Sequence, residues 1–144
     1  MKRHEAIAPL SRDHHGTLLL AQLMKQHAPA YRGLPGNATD KAKYAQEQFE
    51  SHIRQHFQLE ETMLDKVRHI HPLITSLAAE IKAEHLELTA LFQSLATASD
   101  PGTVMNKLAV KLEGHIRKEE RILFPLLQEQ CNEDILTEIH ELLH

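Results

Sequence analysis

One motif with the elements of a metal site occurs twice in the chain. The pattern His-x-x-x-Glu-Glu begins at His56 and again at His115, 59 residues later. Residues four apart on an α-helix lie on one face, about 6 Å from each other, so each histidine and the first glutamate after it can bind one ion. Two such pairs on two helices of a bundle are typical of carboxylate-bridged two-metal sites.

Each motif is preceded, one helix earlier, by an acidic residue next to histidine. The first half contains Asp13-His14-His15 and the second half contains Glu84-His85. The chain therefore reads as an internal repeat of one helical hairpin. Either His14 or His15 can be the counterpart of His85. Alignment on His14 matches the apolar residues of the two helices better, and His14 fits the apolar stripe of its own helix, so we favour His14.

The ligand types indicate which metal the site would hold. Four imidazoles and two carboxylates without a thiolate suit iron or manganese better than a structural zinc. Such a charged set is costly to bury unless a metal neutralises it. We expect Glu60 and Glu119 to bridge two ions. The candidate ligands are His14, His15, His56, Glu60, His85, His115 and Glu119.

Three further residues are close enough in sequence to take part. His52 lies one turn before His56 and could be a seventh ligand, although a supporting or surface position is favoured. Glu61 and Glu120, the second glutamates of the two motifs, are expected to orient ligands or to face solvent. A metal-free core in which the histidines sense pH is an alternative for the whole set.

The composition favours an all-α protein with a single domain over residues 1–144. Strong helix formers dominate, aromatic residues make up only 4% and there are 5 glycines. Proline, glycine and capping residues divide the chain into four long helices, which predict an up-down-up-down four-helix bundle with a short C-terminal helix. The predicted helices run from about 9 to 28, 39 to 68, 72 to 97, 101 to 130 and 133 to 143.

The fourth long helix carries a stripe at helical spacing and an internal proline. Pro125 removes one backbone hydrogen bond, so a kink is expected near Arg121. The stripe should face the core. Its members are Leu108, Leu112, His115, Glu119, Ile122 and Leu126.

Several functional classes are not indicated. The net charge of -4 comes from interspersed charges, with no basic stripe for nucleic acid. No signal peptide and no run of about 18 apolar residues is evident, so a membrane partner is not expected. Cys131 is the single cysteine, which favours a reducing compartment. We expect a cytoplasmic protein, and the sequence leaves open whether it forms a homodimer.

The residues from about Leu10 to Leu127 resemble the hemerythrin-like, or HHE, cation-binding domains. The resemblance rests on both acid-His pairs, both His-x-x-x-Glu-Glu motifs and the segment Leu123-Phe124-Pro125. It implies a four-helix bundle with a non-heme di-iron centre, oxo- or hydroxo-bridged, in which manganese or zinc can substitute. The implied ligands are His14 or His15, with His56, Glu60, His85, His115 and Glu119.

One position departs from the oxygen carriers of that family. The carriers have His-x-x-x-His on the third helix, whereas Ile81 stands four residues before His85. The resemblance therefore implies a protein that binds or senses dioxygen, nitric oxide or peroxide, or that handles iron, more than an oxygen carrier. A di-iron oxidase or peroxidase, or an iron–sulfur repair or iron-donor protein, remains an alternative, and the sequence does not decide whether the protein is an enzyme.

Overall fold

The computed structural model describes residues 2–144, and every regular element within them is helical. The all-α expectation is confirmed. No helix in this part of the chain is long and apolar enough to span a bilayer. In chain order the elements are α1 (Ala8–Met24), α2 (Ala38–Gln48), a π-helical turn (Phe49–Ile53), α3 (Arg54–Val67), α4 (Pro72–Ser94), α5 (Pro101–Lys118), a second π-helical turn (Glu119–Leu123), α6 (Phe124–Gln130) and α7 (Glu133–Leu143).

These elements form four long rods and a short closing helix, which confirms the predicted bundle. The rods are α1, then α2 with α3, then α4, then α5 with α6. Short polar side chains cap the starts of α2, α5 and α7: Asn37, Asp100 and Asn132 each accept a hydrogen bond from a backbone N–H in the first turn. Pro72 and Pro101 occupy first-turn positions, as the sequence predicts.

The first helix ends earlier than predicted, at Met24 rather than near residue 28. Lys25 has an extended backbone, with φ of −64° and ψ of 142°. The backbone N–H of the next residue, Gln26, donates to the Asn106 side chain on α5 at 2.9 Å. A contact with a distant helix thus gives the chain an alternative to a further helical turn, which local sequence cannot reveal.

Apolar residues form two clusters, one on each side of a polar layer. One cluster includes Phe49, Phe92 and Leu112, and the other includes Leu10 and Leu123. The rods α1 and α4 run from the second cluster to the first, and the other two rods run from the first to the second. Successive rods therefore cross the polar layer in opposite directions. Helix α7 contributes to the second cluster and covers that end of the bundle.

The predicted interruption near Arg121 takes the form of the second π-helical turn, Glu119–Leu123. The extra residue in a π turn rotates all that follows it relative to the α-helical stripe. Ile122, predicted to face the core, is therefore 53% exposed, while Leu123 is fully buried. The same shift by one residue buries Leu127 in place of Leu126, so the predicted stripe is wrong beyond Glu119.

Candidate metal centre

Six of the seven predicted ligands lie together in the polar layer between the two apolar clusters. All six are buried, and His56 is the most accessible of them at 8%. They come from all four rods: His14 from α1, His56 and Glu60 from α3, His85 from α4, His115 from α5, and Glu119 from the second π-helical turn. The exception is His15, which is exposed and belongs to neither group of ligand atoms described below.

The six side chains form two groups of four that share both glutamates. His14 and His56 complete one group, and His85 and His115 complete the other. Within each group the ligating atoms all lie within 4.8 Å of one another. Two such groups with two shared carboxylates could hold metal cations.

Glu60 lies between the histidine pair of one group and the histidine pair of the other. One of its oxygens, Oε2, lies 3.7 Å from His56 Nε2, and the other, Oε1, lies 3.0 Å from His85 Nε2. Glu60 therefore presents one oxygen to each group.

Glu119 is the second carboxylate that the groups share. Its Oε1 atom lies 3.1 Å from His14 Nε2 and 3.3 Å from His115 Nε2. A single carboxylate oxygen thus approaches a histidine of each group.

The inward-facing polar atoms make no hydrogen bond within the described chain. These atoms are the Nε2 atoms of the four histidines and both carboxylate oxygens of Glu60 and Glu119. Eight buried polar atoms without hydrogen bonds within residues 2–144 would lower the stability of the folded protein unless a further partner satisfied them. Imidazole nitrogens and carboxylate oxygens are metal ligands, so the residues fit a cation centre.

The electrostatics of the two glutamates point the same way. Burial and the neighbouring Glu60 charge raise the pKa of Glu119 well above its ordinary value. Burial also raises the pKa of Glu60, but contacts with Glu119 and His85 outweigh it and lower that pKa to about 2. The metal-free site thus favours the protonated form of Glu119, and a cation would displace that proton.

Within each half of the repeat, the acidic residue of the first helix contacts the histidine of the second helix. His56 Nδ1 is 3.1 Å from Asp13 Oδ2, and His115 Nδ1 is 2.6 Å from Glu84 Oε1. A hydrogen bond from Nδ1 to a carboxylate fixes the ring so that Nε2 faces the centre. Burial lowers the pKa of His115, which favours the neutral imidazole that metals bind.

The second glutamate of each motif contacts a histidine of the opposite half. His85 Nδ1 is 2.8 Å from Glu61 Oε2, and His14 Nδ1 is 2.9 Å from Glu120 Oε1. The predicted orienting position of Glu61 and Glu120 therefore agrees with the geometry. All four histidines have an outer carboxylate, and the two halves of the repeat are joined by two of these contacts.

Two of the outer carboxylates are themselves held by cations or hydroxyl groups. Glu120 accepts hydrogen bonds from Arg3 at 2.8 Å and from Ser11. Glu84 accepts from Lys118. The pKa of Glu84 falls to about 2 through its contact with His115, and that of Glu120 also falls to about 2, since contacts with His14 and Ser11 outweigh its burial.

A family comparison accounts for this arrangement. The family model described as Hemerythrin HHE cation binding domain matches residues 5–127, and in a second match residues 76–144. The chain belongs to the hemerythrin HHE cation-binding domain family. No curated protein and no solved structure matches it at the significance required. The second match begins within the second half of this HHE domain, in keeping with the internal repeat.

The sequence of this HHE domain predicted no individual role for Asp13 or Glu84. Their signal was the acid-His dipeptide in each half, since both acids have the same place in the repeat. In the structure Asp13 and Glu84 both orient a histidine of the neighbouring helix. His52 is exposed and belongs to neither group of ligand atoms, which agrees with the favoured surface or supporting position.

Removal of one outer carboxylate is expected to weaken the HHE centre without removing a ligand. Glu84→Ala should lower cation affinity by about 10–100-fold, because His115 would lose the contact that orients its ring. Titration of the metal-free protein with ferrous iron under anaerobic conditions measures this. Asp65→Ala is the control, because Asp65 is a surface carboxylate paired with Lys82. Equal affinities of the Glu84→Ala variant and the wild type would contradict an orienting role.

Proposed function

We propose that this HHE domain holds two iron ions and uses them to bind or sense a small molecule of the dioxygen, nitric oxide or peroxide class. The observation that supports this most directly is the pair of four-residue groups that share Glu60 and Glu119. All eight inward-facing atoms lack a hydrogen bond within residues 2–144, so cations would satisfy them together.

In this proposal each cation has two histidines of its own. His14 and His56 would hold one cation, His85 and His115 would hold the other, and Glu60 and Glu119 are close enough to contribute to both. Imidazole and carboxylate ligands that leave coordination positions open are typical of non-heme iron sites that react with small molecules. When bound, such ions supply reversible redox chemistry and a place for a small ligand.

The protein side chains supply a fixed and shielded environment. The outer carboxylates hold the four imidazole rings in one orientation, and the two apolar clusters exclude water above and below the layer. The two shared carboxylates reduce the repulsion between neighbouring cations. The chain thus positions the metals and limits which molecules reach them.

Ile81 supports ligand binding or sensing in preference to oxygen transport. It is fully buried and packs in the second apolar cluster, one helical turn before His85. The second group therefore has no further imidazole at the position where carriers have one. We also propose a cytoplasmic location, supported by the free and buried thiol of Cys131.

Metal analysis of protein purified without oxygen tests the proposal. We expect about two iron or manganese ions per chain in the wild type, and loss of both in His56→Ala/His115→Ala, which removes one imidazole from each group. His15→Ala/His52→Ala is the matched control, because both of those histidines are exposed. Full occupancy of the first variant would overturn the ligand assignment, and wild-type protein without iron or manganese would overturn the proposed function.

Optical spectra of the iron-loaded protein test the small-molecule part separately. Addition of dioxygen, nitric oxide or peroxide should change the absorption of the iron centre, and the same addition to the His56→Ala/His115→Ala variant should not. A centre that holds two iron ions but responds to none of the three would leave metal handling as its function and contradict ligand binding.

A further inference from the structure

Two cavities border the candidate metal centre, one in each half of the repeat. The larger, about 560 Å³, has Asp13 and His56 in its wall. The smaller, about 320 Å³, has Glu84 and His115 in its wall. Each cavity thus reaches one candidate ligand and the carboxylate that orients it, and each lies beside a different cation position.

The two cavities occupy the same place in the two halves of the repeat. His14 aligns with His85, an offset of 71 residues, and His56 aligns with His115, an offset of 59. With these offsets, all seven residues that line the smaller cavity have their counterparts in the wall of the larger one. The repeat has therefore produced two matching openings rather than one.

Three pairs of counterparts differ in formal charge between the openings. Glu87, Lys111 and Lys118 line the smaller cavity, and their counterparts in the larger cavity are Gly16, His52 and Leu59.

The lysines of the smaller opening are paired with carboxylates across it. Lys111 on α5 pairs with Glu87 on α4, and Lys118 pairs with Glu84 and, at 3.4 Å, with Glu80. The ion pairs therefore join α4 to α5 in the wall of this cavity. The larger opening has no lysine at either equivalent position.

We propose that the ion pairs of Lys111 and Lys118 restrict the second opening, so that the cation held by His85 and His115 exchanges with solvent more slowly than the cation held by His14 and His56. The proposal rests on the two-cation centre proposed above. It assigns to these lysines control of access to the second metal, and it makes the two chemically similar metal positions inequivalent. Partly exposed ion pairs are weak, so we expect an exchange difference of about fivefold.

The test exchanges residues between the openings. The closing variant, Gly16→Glu/His52→Lys, gives the first opening the charged pair of the second. A side chain at Gly16 meets no atom within 4 Å of its Cβ, and within residues 2–144 His52 forms no hydrogen bond or ion pair with a candidate ligand or an outer carboxylate. The opening variant, Lys111→His/Lys118→Leu, gives the second opening the residues of the first.

Each protein is first loaded with ferrous iron in the absence of oxygen, and the number of iron ions per chain is measured. Iron release to excess bipyridine is then followed by absorbance. We expect two phases of equal amplitude in the wild type. The closing variant should slow the fast phase about fivefold, and the opening variant should accelerate the slow phase about fivefold. Equilibrium affinity of the closing variant should be unchanged, because an access residue alters binding and release rates together, whereas a structural role would change affinity.

The outcomes separate the two proposals. Loading well below two ions per chain would contradict the two-cation centre itself. Loading of two ions followed by a single release phase would overturn the restricted opening and leave the two-cation centre intact. A closing variant whose fast phase has the wild-type rate would also overturn the proposal. This result does not depend on Lys118, whose replacement would also remove a hydrogen bond from Glu84.

Discussion

Removal of the bound cations is expected to lower the melting temperature of the protein by about 10–20 °C. Two sites that are each saturated about 100-fold above their dissociation constants would together contribute about 5 kcal/mol of linkage. For a domain of this size, 1 kcal/mol corresponds to about 2–4 °C. The structural reason is the polar layer, where eight buried atoms have no hydrogen bond within the described chain.

Calorimetry with and without a chelator measures this difference. The His56→Ala/His115→Ala variant provides the control, because its melting temperature should respond little to either chelator or added iron. The His15→Ala/His52→Ala variant should respond as the wild type does, since both of its altered residues are exposed. A chelator effect that persists in the first variant would show that the cations stabilise the protein from somewhere other than this layer.

The second large effect is expected from Glu119→Gln, which should remove both cations while it preserves the metal-free fold. Burial and the Glu60 charge raise the pKa of Glu119, which favours the protonated form of this carboxyl group. A glutamine has nearly the same size and the same zero charge as that form. The unfolding free energy of the metal-free variant should therefore lie within about 1 kcal/mol of the wild type. Affinity for both cations should fall by more than about 100-fold, because even partners outside the ligand set commonly contribute 10–100-fold.

Urea denaturation of the metal-free proteins and iron titration separate these two effects. His14→Ala is the comparison for metal binding, because it removes a ligand from one group only, and Glu138→Gln on the exposed side of α7 is the neutral control. Retention of two tightly bound ions by Glu119→Gln would refute the shared position. A metal-free variant much less stable than the wild type would refute the assignment of the proton to Glu119.

Much of the fold could be predicted because helix boundaries depend on local chemistry. Asp100 with Pro101 and the start of α7 at Glu133 were predictable from capping and proline preferences. The π-helical turn at Phe49–Ile53 was not predicted, since no proline follows it closely as Pro125 follows the second turn. The interruption near Arg121 was expected from Pro125, but its consequence for the stripe was missed because the size of the rotation depends on which backbone bonds form.

The sequence by itself determined the composition of the candidate centre. The doubled His-x-x-x-Glu-Glu motif and the two acid-His pairs are local patterns, and helical periodicity places their side chains on inward faces without knowledge of the neighbouring helices.

Only the tertiary structure decided how these residues meet. The packing of α1 buries His14 and exposes His15, and the crossing of the rods brings Glu120 to His14 and Glu61 to His85. The same packing gives the two halves of the repeat one cavity each, and lysines line only the second cavity. Such contacts depend on how far apart the helices lie and how they are rotated about their axes, and neither quantity is encoded in the periodicity of any one helix.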